Sequence, residues 1–228
     1  MSTPSPKIHK INPENPDADM IQEAADIIRK GGVIAFPTRC LYGLGADALN
    51  PEAVEQIFKI KQRLAEKPIL ILIGDPIRLE RLATHISDAA KAIMERFWPG
   101  KVTLVFDAGA EVPDTLTAGT GKIGIRLAGH PVAAALARAI QSPITGTSAN
   151  VSGQPGCHQI ADLQPGVAEH LDLILDAGPL KGGRGSTVVD VTGKVSRVLR
   201  EGVVTEKEIL ATHAGRIAGW NAGRLGSE

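Results

Sequence analysis

Three patches of this chain combine residue types that act on anions. Lys61-x-Arg63, with Lys67 close behind, places cations at the end of an apolar-periodic segment and just ahead of the aliphatic run 69–73. An arginine fork and a lysine point charge suit carboxylate or polyphosphate oxygens, and at this spacing the two converge only if the helix has ended. The same cations in a last helical turn would also offset the helix dipole from water. The second patch, GTSANVSG from Gly146 to Gly153, sets Ser148 and Asn150 two residues apart after a short strand run. A hydroxyl and an amide so placed can point one way and hydrogen-bond a nucleotide or an acyl phosphate, and the glycines permit close backbone approach. Ser, Asn and Gly also make ordinary capped turns. The third patch, Gly182-Gly183-Arg184-Gly185-Ser186-Thr187, enters the run VVDV, with Arg200 on the returning strand. It has the makings of a phosphate cradle, but no GxxxxGK[ST] or GxGxxG is present, which excludes a Walker loop and a Rossmann fingerprint. Asp190, inside that run, reads as a solvated hairpin residue rather than a metal ligand.

The elements that must position these patches alternate between helix and strand. Asp17 caps a helix whose apolar residues Met20, Ile21, Ala24, Ala25, Ile27 and Ile28 fall at helical spacing, and Gly31-Gly32 stops it. A strand VIAF follows, then a helix opened by Asn50-Pro51 and ending near Lys61, then the buried strand ILILI. Ser87 caps a helix to Phe97, Pro99-Gly100 turns the chain, and VTLVF and IGIRL give two strands before the apolar helix PVAAALARAI. PITGTS, LILD, STVVDV and VSRVL complete the pattern, the last two joined in hairpin fashion through Thr192-Gly193-Lys194. We read a single twisted sheet, mixed parallel and antiparallel, with helices packed on it. Residues 1–16 read as a flexible N-terminal segment, 17–211 as one domain, and 212–228 as a Gly-rich tail.

With 43% apolar and only 3% aromatic residues, the core must be aliphatic. Lys+Arg and Asp+Glu balance at 25 each, so phosphate affinity must come from local clustering, not a global field. Cys40 and Cys157 lack metal-ligand spacing and read as free thiols of a reducing, cytoplasmic compartment. No apolar run approaches the ~20 residues that span a bilayer, so no membrane association is expected.

Taken in order, six segments resemble the YrdC-type family of threonylcarbamoyl-AMP synthases: FPTRCLYGLGADA, KQR with KPILILI, RFWPGKVTLVF, IGIRLAGHP, TSANVSGQP, and STVVDVTG with VLREG. The resemblance runs from about residue 18 to about 210. It implies a YrdC-like fold and condensation of L-threonine, bicarbonate or CO2 and ATP to L-threonylcarbamoyl-AMP, with pyrophosphate release. That product feeds the N6-threonylcarbamoyl modification of adenosine 37 in tRNA through a downstream transferase complex. By the family's pattern, Lys61, Arg63, Ser148 and Asn150 are catalytic. Thr38, Cys40, Tyr42, Arg126 and Ser186 contact threonine, Thr38 and Tyr42 lining the entrance, while Arg63, Lys67, Ser148 and Arg200 contact ATP. Mg2+ accompanies the ATP phosphates, and no protein metal site is implied. The chain departs from the pattern at Arg39 and Cys40, which replace an acidic residue and a hydroxyl, at Leu64, which replaces a proline, and at Leu72, where many members carry a histidine. The alternatives are a divergent paralogue that forms another carbamoyl adenylate and an RNA-binding module. Weak RNA contact fits a basic cleft, whereas zero net charge and few aromatics oppose a dedicated RNA binder.

Overall fold

The computed structural model describes residues 6–212. Along the chain run β1 (Lys7–Lys10), α1 (Ala18–Arg29), β2 (Ile34–Pro37), β3 (Tyr42–Gly45), α2 (Pro51–Lys61), β4 (Ile71–Ile73), α3 (Leu79–Leu82), α4 (Asp88–Phe97) and β5 (Val102–Asp107). There follow α5 (Asp114–Thr117), β6 (Lys122–Leu127), α6 (Pro131–Ile140), β7 (Ile144–Thr145), β8 (Thr147–Ser148), α7 (Pro165–Ala168), β9 (Leu173–Asp176), β10 (Thr187–Asp190) and β11 (Arg197–Arg200).

The caps read from sequence are in place. The Asp17 carboxylate accepts from two backbone N–H groups of α1, the Asn50 amide oxygen does the same for α2 ahead of Pro51, and the Ser87 hydroxyl accepts from Ala90 N. Gly31, at φ +87°, ends the first helix in the left-handed region that favours glycine.

The strands divide between two sheets, where the sequence suggested one. The first has the order β1-β9-β2-β3-β8 and the second β11-β10-β5-β6-β4-β7; each mixes parallel and antiparallel pairs. The division occurs inside PITGTS, because β7 joins the second sheet beside β4 and β8 joins the first beside β3. Gly146 is the crossing point. Its backbone N–H bonds to Leu70 O at 2.7 Å, and a Cβ there would lie 2.3 Å from the Leu70 side chain. The Thr145 hydroxyl then ties the sheets together, donating to Leu44 O and accepting from Ala46 N.

Burial on both faces explains why several strands read as unbroken apolar runs. Ile71 and Ile73 join the larger core with Leu104, Phe106 and Ile125, whereas Leu72 points to a second core under α1 and α6. Ala35 and Ile174 face the first core, and their neighbours Ile34, Phe36, Leu173 and Leu175 face the second. The core is aliphatic, as composition required.

One segment differs from its sequence reading. Residues 7–10, expected to be flexible, form an edge strand parallel to β9, and Ile11 follows them into the core with its N–H on Asp176 O. A short polar run with one apolar residue carries little sequence signal, and the open edge of β9 supplies its pairing. The tail beyond Thr212 lies outside the described residues. Among the described residues, no helix is long and apolar enough to cross a membrane.

Candidate functional site

The amphipathic face of α2 carries its last residue, Lys61, into the interior, where it is 2% exposed. Its ammonium donates to Ser148 O at 2.5 Å, Asn150 O at 2.7 Å and Asn150 Oδ1 at 3.3 Å. Lys61 O in turn accepts from Ser152 N. Burial, and secondarily the Arg63 charge, holds the ammonium pKa down at about 8. The Ser148 hydroxyl also donates to Asn150 Oδ1, and the Asn150 amide donates to Val151 O and Gln154 O. All three ammonium hydrogens are thus spent on the 148–150 loop, and Lys61 shapes that loop rather than offering a free charge.

The helix ends between the two cations, as their convergence requires: Gln62 adopts the left-handed conformation at φ 47°. Arg63 then folds over the following turn, with Nε on Lys67 O at 3.0 Å and Nη2 on Pro68 O at 2.8 Å. Its pKa is lowered by burial. Lys67 is exposed.

A second group gathers on the other sheet. Arg126, on β6, donates through Nη1 to the Ser186 hydroxyl at 2.8 Å, and Ser186 shares a 2.8 Å hydrogen bond with the buried Thr103 on β5. Arg200, from β11, reaches Ser186 O at 3.0 Å. Burial lowers the Arg126 pKa to about 10; nearby Cys40 opposes this, and the Arg39 and Arg200 charges add to it. No ion pair joins Arg126 to a carboxylate among the described residues. Arg126 opens into a shallow cleft that it lines with Thr38, Arg39, Leu72, Gly100, Ala128, Gly129, His130 and Ala133. Among the described residues, no acidic side chain lines this cleft.

The β2–β3 loop, residues 38–41, touches both groups. Cys40, 6% exposed, offers its thiol to Arg184 O at 3.7 Å, while Arg39 Nη2 donates to the same carbonyl at 2.7 Å. On the other side, Leu41 and the Ser148 Cβ both pack within 3.4 Å of where a Cβ on Gly156 would stand. Lys61, Ser148 and Asn150 therefore form one hydrogen-bonded group, and Arg126, Ser186 and Arg200 another, with this loop between them. Arg63 and Lys67 stand beside the first.

Tyr42 belongs to neither group. It is fully buried, its hydroxyl donates to Gly178 O and accepts from Ala177 N, and burial pushes its pKa up. It packs in the core and does not line an entrance. Asp190 is paired with Lys122 at 2.9 Å and accepts from Thr192, which makes it a brace for the hairpin. Thr103 and His130 were not singled out from sequence. A Thr inside VTLVF carries no signal beyond strand propensity, and His130 before Pro131 reads only as a helix cap.

Mixed sheets with packed helices, bringing small polar residues beside cations held by carbonyl and hydroxyl oxygens, define an α/β protein. The sequence model of the Sua5_yciO_yrdC family, described as telomere recombination, matches residues 26–202, and the chain belongs to this family. It is 38% identical to the threonylcarbamoyl-AMP synthase of Pyrococcus abyssi over 83% of its length, and 37% identical to that of Bacillus subtilis over 84%. Both matches take up 56% of the relative, so the chain spans little more than half the length of these proteins. The crystal structure of P. abyssi Sua5 complexed with L-threonine superposes with a TM-score of 0.83 at 36% identity, covering 90% of this chain and 60% of that one.

Proposed function

We propose that this chain condenses L-threonine, bicarbonate or CO2 and ATP to L-threonylcarbamoyl-AMP with release of pyrophosphate. The observation that carries the reading is Arg126: a half-buried guanidinium, bonded to a serine hydroxyl and lining a cleft that has no carboxylate among the described residues. A desolvated cation without a counter-ion is expensive, and an anionic ligand removes that cost. The threonine carboxylate fits this role, with Ser186 beside it. Relatives named as synthases and a homologue that binds L-threonine support the same assignment.

The remaining cations take the more highly charged substrate. Arg63, Lys67 and Arg200 would neutralise the triphosphate, and the Ser148–Asn150 loop, fixed by Lys61, would present its polar groups to the reacting carbamate. A carbamate oxygen of N-carboxythreonine forms a bond to the α-phosphorus, the bond from that phosphorus to the bridging oxygen breaks, and the electron pair leaves with pyrophosphate. The protein's part is positioning and charge stabilisation, with no covalent intermediate on a side chain. Mg2+ would be held by the ATP phosphates, because the side chains assigned to them are cations, hydroxyls and an amide, whereas this hard ion prefers carboxylate and phosphate oxygens. The product would pass to a transferase that modifies tRNA, in the cytoplasm, where Cys40 and Cys157 stay as free thiols.

The test is pyrophosphate release from ATP with bicarbonate and each amino acid in turn, with the adenylate detected by mass. Threonine-dependent release is the expected result; release indifferent to the amino acid, or none, refutes the assignment.

A further inference from the structure

Four side chains with polar groups line the cleft: Thr38, Arg39, Arg126 and His130. Their hydrogen bonds determine what each has left for a ligand. The Thr38 hydroxyl gives its hydrogen to Leu41 O at 2.6 Å and can only accept. Arg126 is committed to Ser186 and to the anion it awaits, and Arg39 is turned toward Arg184 O. His130 differs. Its Nδ1 accepts the Val132 N–H at 3.2 Å and so caps α6, which puts the ring proton on Nε2. That Nε2–H is the one uncharged side-chain donor among the residues lining the cleft.

The ring is held there by a close backbone contact. A Cβ on Gly129 would stand 2.6 Å from Gly100 Cα and 3.0 Å from Gly100 N, so two glycines let the 127–130 loop lie against the Pro99–Gly100 turn. Gly100 N also donates to Leu127 O. Burial, partly opposed by Glu14, lowers the His130 pKa, which keeps the imidazole neutral and its Nδ1 free to cap the helix. The other walls near it, Leu72, Ala128 and Ala133, offer only hydrocarbon.

We propose that His130 is a specificity-determining residue whose Nε2–H donates to the side-chain hydroxyl of the amino acid held at Arg126, selecting a β-hydroxy amino acid over its isostere. The inference rests on the function proposed above. With the carboxylate on Arg126, a substrate hydroxyl meets the imidazole while its methyl group packs on Ala133 and Leu72. L-valine, which replaces that hydroxyl by a methyl group, covers the Nε2–H without pairing it, and a donor left unpaired under a bound ligand is what makes such sites discriminate.

Two substitutions separate the donor from the cap. His130→Asn keeps an acceptor for Val132 N–H, since Asn is a good N-cap, but its amide N–H stops short of the former Nε2 position and so withdraws the donor from the ligand. His130→Gln carries an amide N–H to the former Nε2 position and gives up the cap. The experiment measures kcat/KM for pyrophosphate release with L-threonine and with L-valine, alongside thermal melting of each variant. H130N is expected to melt with the wild type while its threonine-over-valine ratio falls about tenfold, the worth of one hydrogen bond. H130Q is expected to melt lower and keep most of the ratio. An unchanged ratio in H130N overturns the role of His130 and leaves the threonine reaction standing. Wild-type protein that fails to use threonine overturns the reaction, and this inference with it.

Discussion

Replacing Lys61 by methionine tests whether this buried ammonium is the keystone of the 148–150 loop. Methionine matches the length of the side chain but leaves Asn150 O without its donor, whereas Asn150 Oδ1 keeps the Ser148 hydroxyl and Ser148 O keeps the Asn150 N–H. One orphaned acceptor costs about 1–3 kcal/mol, and the two other hydrogen bonds lost cost about 1 kcal/mol each. Against this, removing the charge returns its desolvation cost. The fall in pKa from 10.5 to about 8 corresponds to about 3 kcal/mol. A net loss of about 1 kcal/mol remains, or about 2–4 °C in Tm for a protein of this size. The sign of the pH dependence makes the argument sharper. Between about pH 8 and 10.5 the unfolded chain still holds the Lys61 proton that the folded one has lost, so wild-type stability from this group rises with pH across that window. The methionine variant lacks this contribution. Urea unfolding of both proteins at pH 7 and pH 9.5 should show the gap widening by about 2 kcal/mol at the higher pH. A gap that narrows would mean that folding raises the Lys61 pKa, and the account of a desolvated ammonium would be wrong.

Other perturbations probe the two groups separately. Arg63→Ala should reduce pyrophosphate release at least about 100-fold, the worth of a strong charge-assisted contact, with a circular dichroism spectrum like the wild type's; retained threonine-dependent turnover would remove Arg63 from the reaction. Arg126→Met should raise the KM for threonine by about 100-fold while leaving the KM for ATP near wild type, and should leave Tm unchanged or higher, since it removes a partly desolvated cation without a counter-ion. A variant that loses stability and keeps its threonine KM would contradict both parts. Gly129→Ala drives a Cβ against the Gly100 backbone and should cost about 2 kcal/mol, read by urea unfolding, with a weaker threonine KM as Ala128 and His130 shift.

Much of this was legible in the sequence because it rests on local rules. Asp17, Asn50 and Ser87 announced three helix starts, and Gly31 one helix end, through cap chemistry that depends on a few neighbouring residues. ILILI announced a strand buried on both faces, since only such a strand tolerates five apolar residues in succession. What could not be read was how strands separated in sequence are shared between sheets. Ile144 and Thr147 lie three residues apart yet pair with β4 and β3 in different sheets, and the reason is the space beside Leu70 that only Gly146 fits. The candidate residues were visible as types, but their partners were not. Nothing near Lys61 in sequence says that its ammonium is spent on carbonyls 87 and 89 residues away, and nothing near Tyr42 says that Gly178 and Ala177 absorb its hydroxyl.

The distribution of ion pairs explains how a chain with no net charge builds a cationic site. Lys7, Lys59, Arg81, Lys122 and Arg184 each pair with a carboxylate, all at surface or partly exposed positions. Lys61, Arg63, Arg126 and Arg200 bond instead to carbonyl and hydroxyl oxygens. Carbonyls orient a guanidinium or an ammonium without cancelling its charge. The acids that balance the sequence therefore neutralise the surface, and the site keeps its field. Three of the four cations also have pKa values lowered by burial, which is the signature of charge that is not compensated. Such a site costs stability in the free protein, and that cost is removed only when anions arrive. On the proposed reaction, binding energy from the threonine carboxylate and the phosphates would then hold them in reacting position.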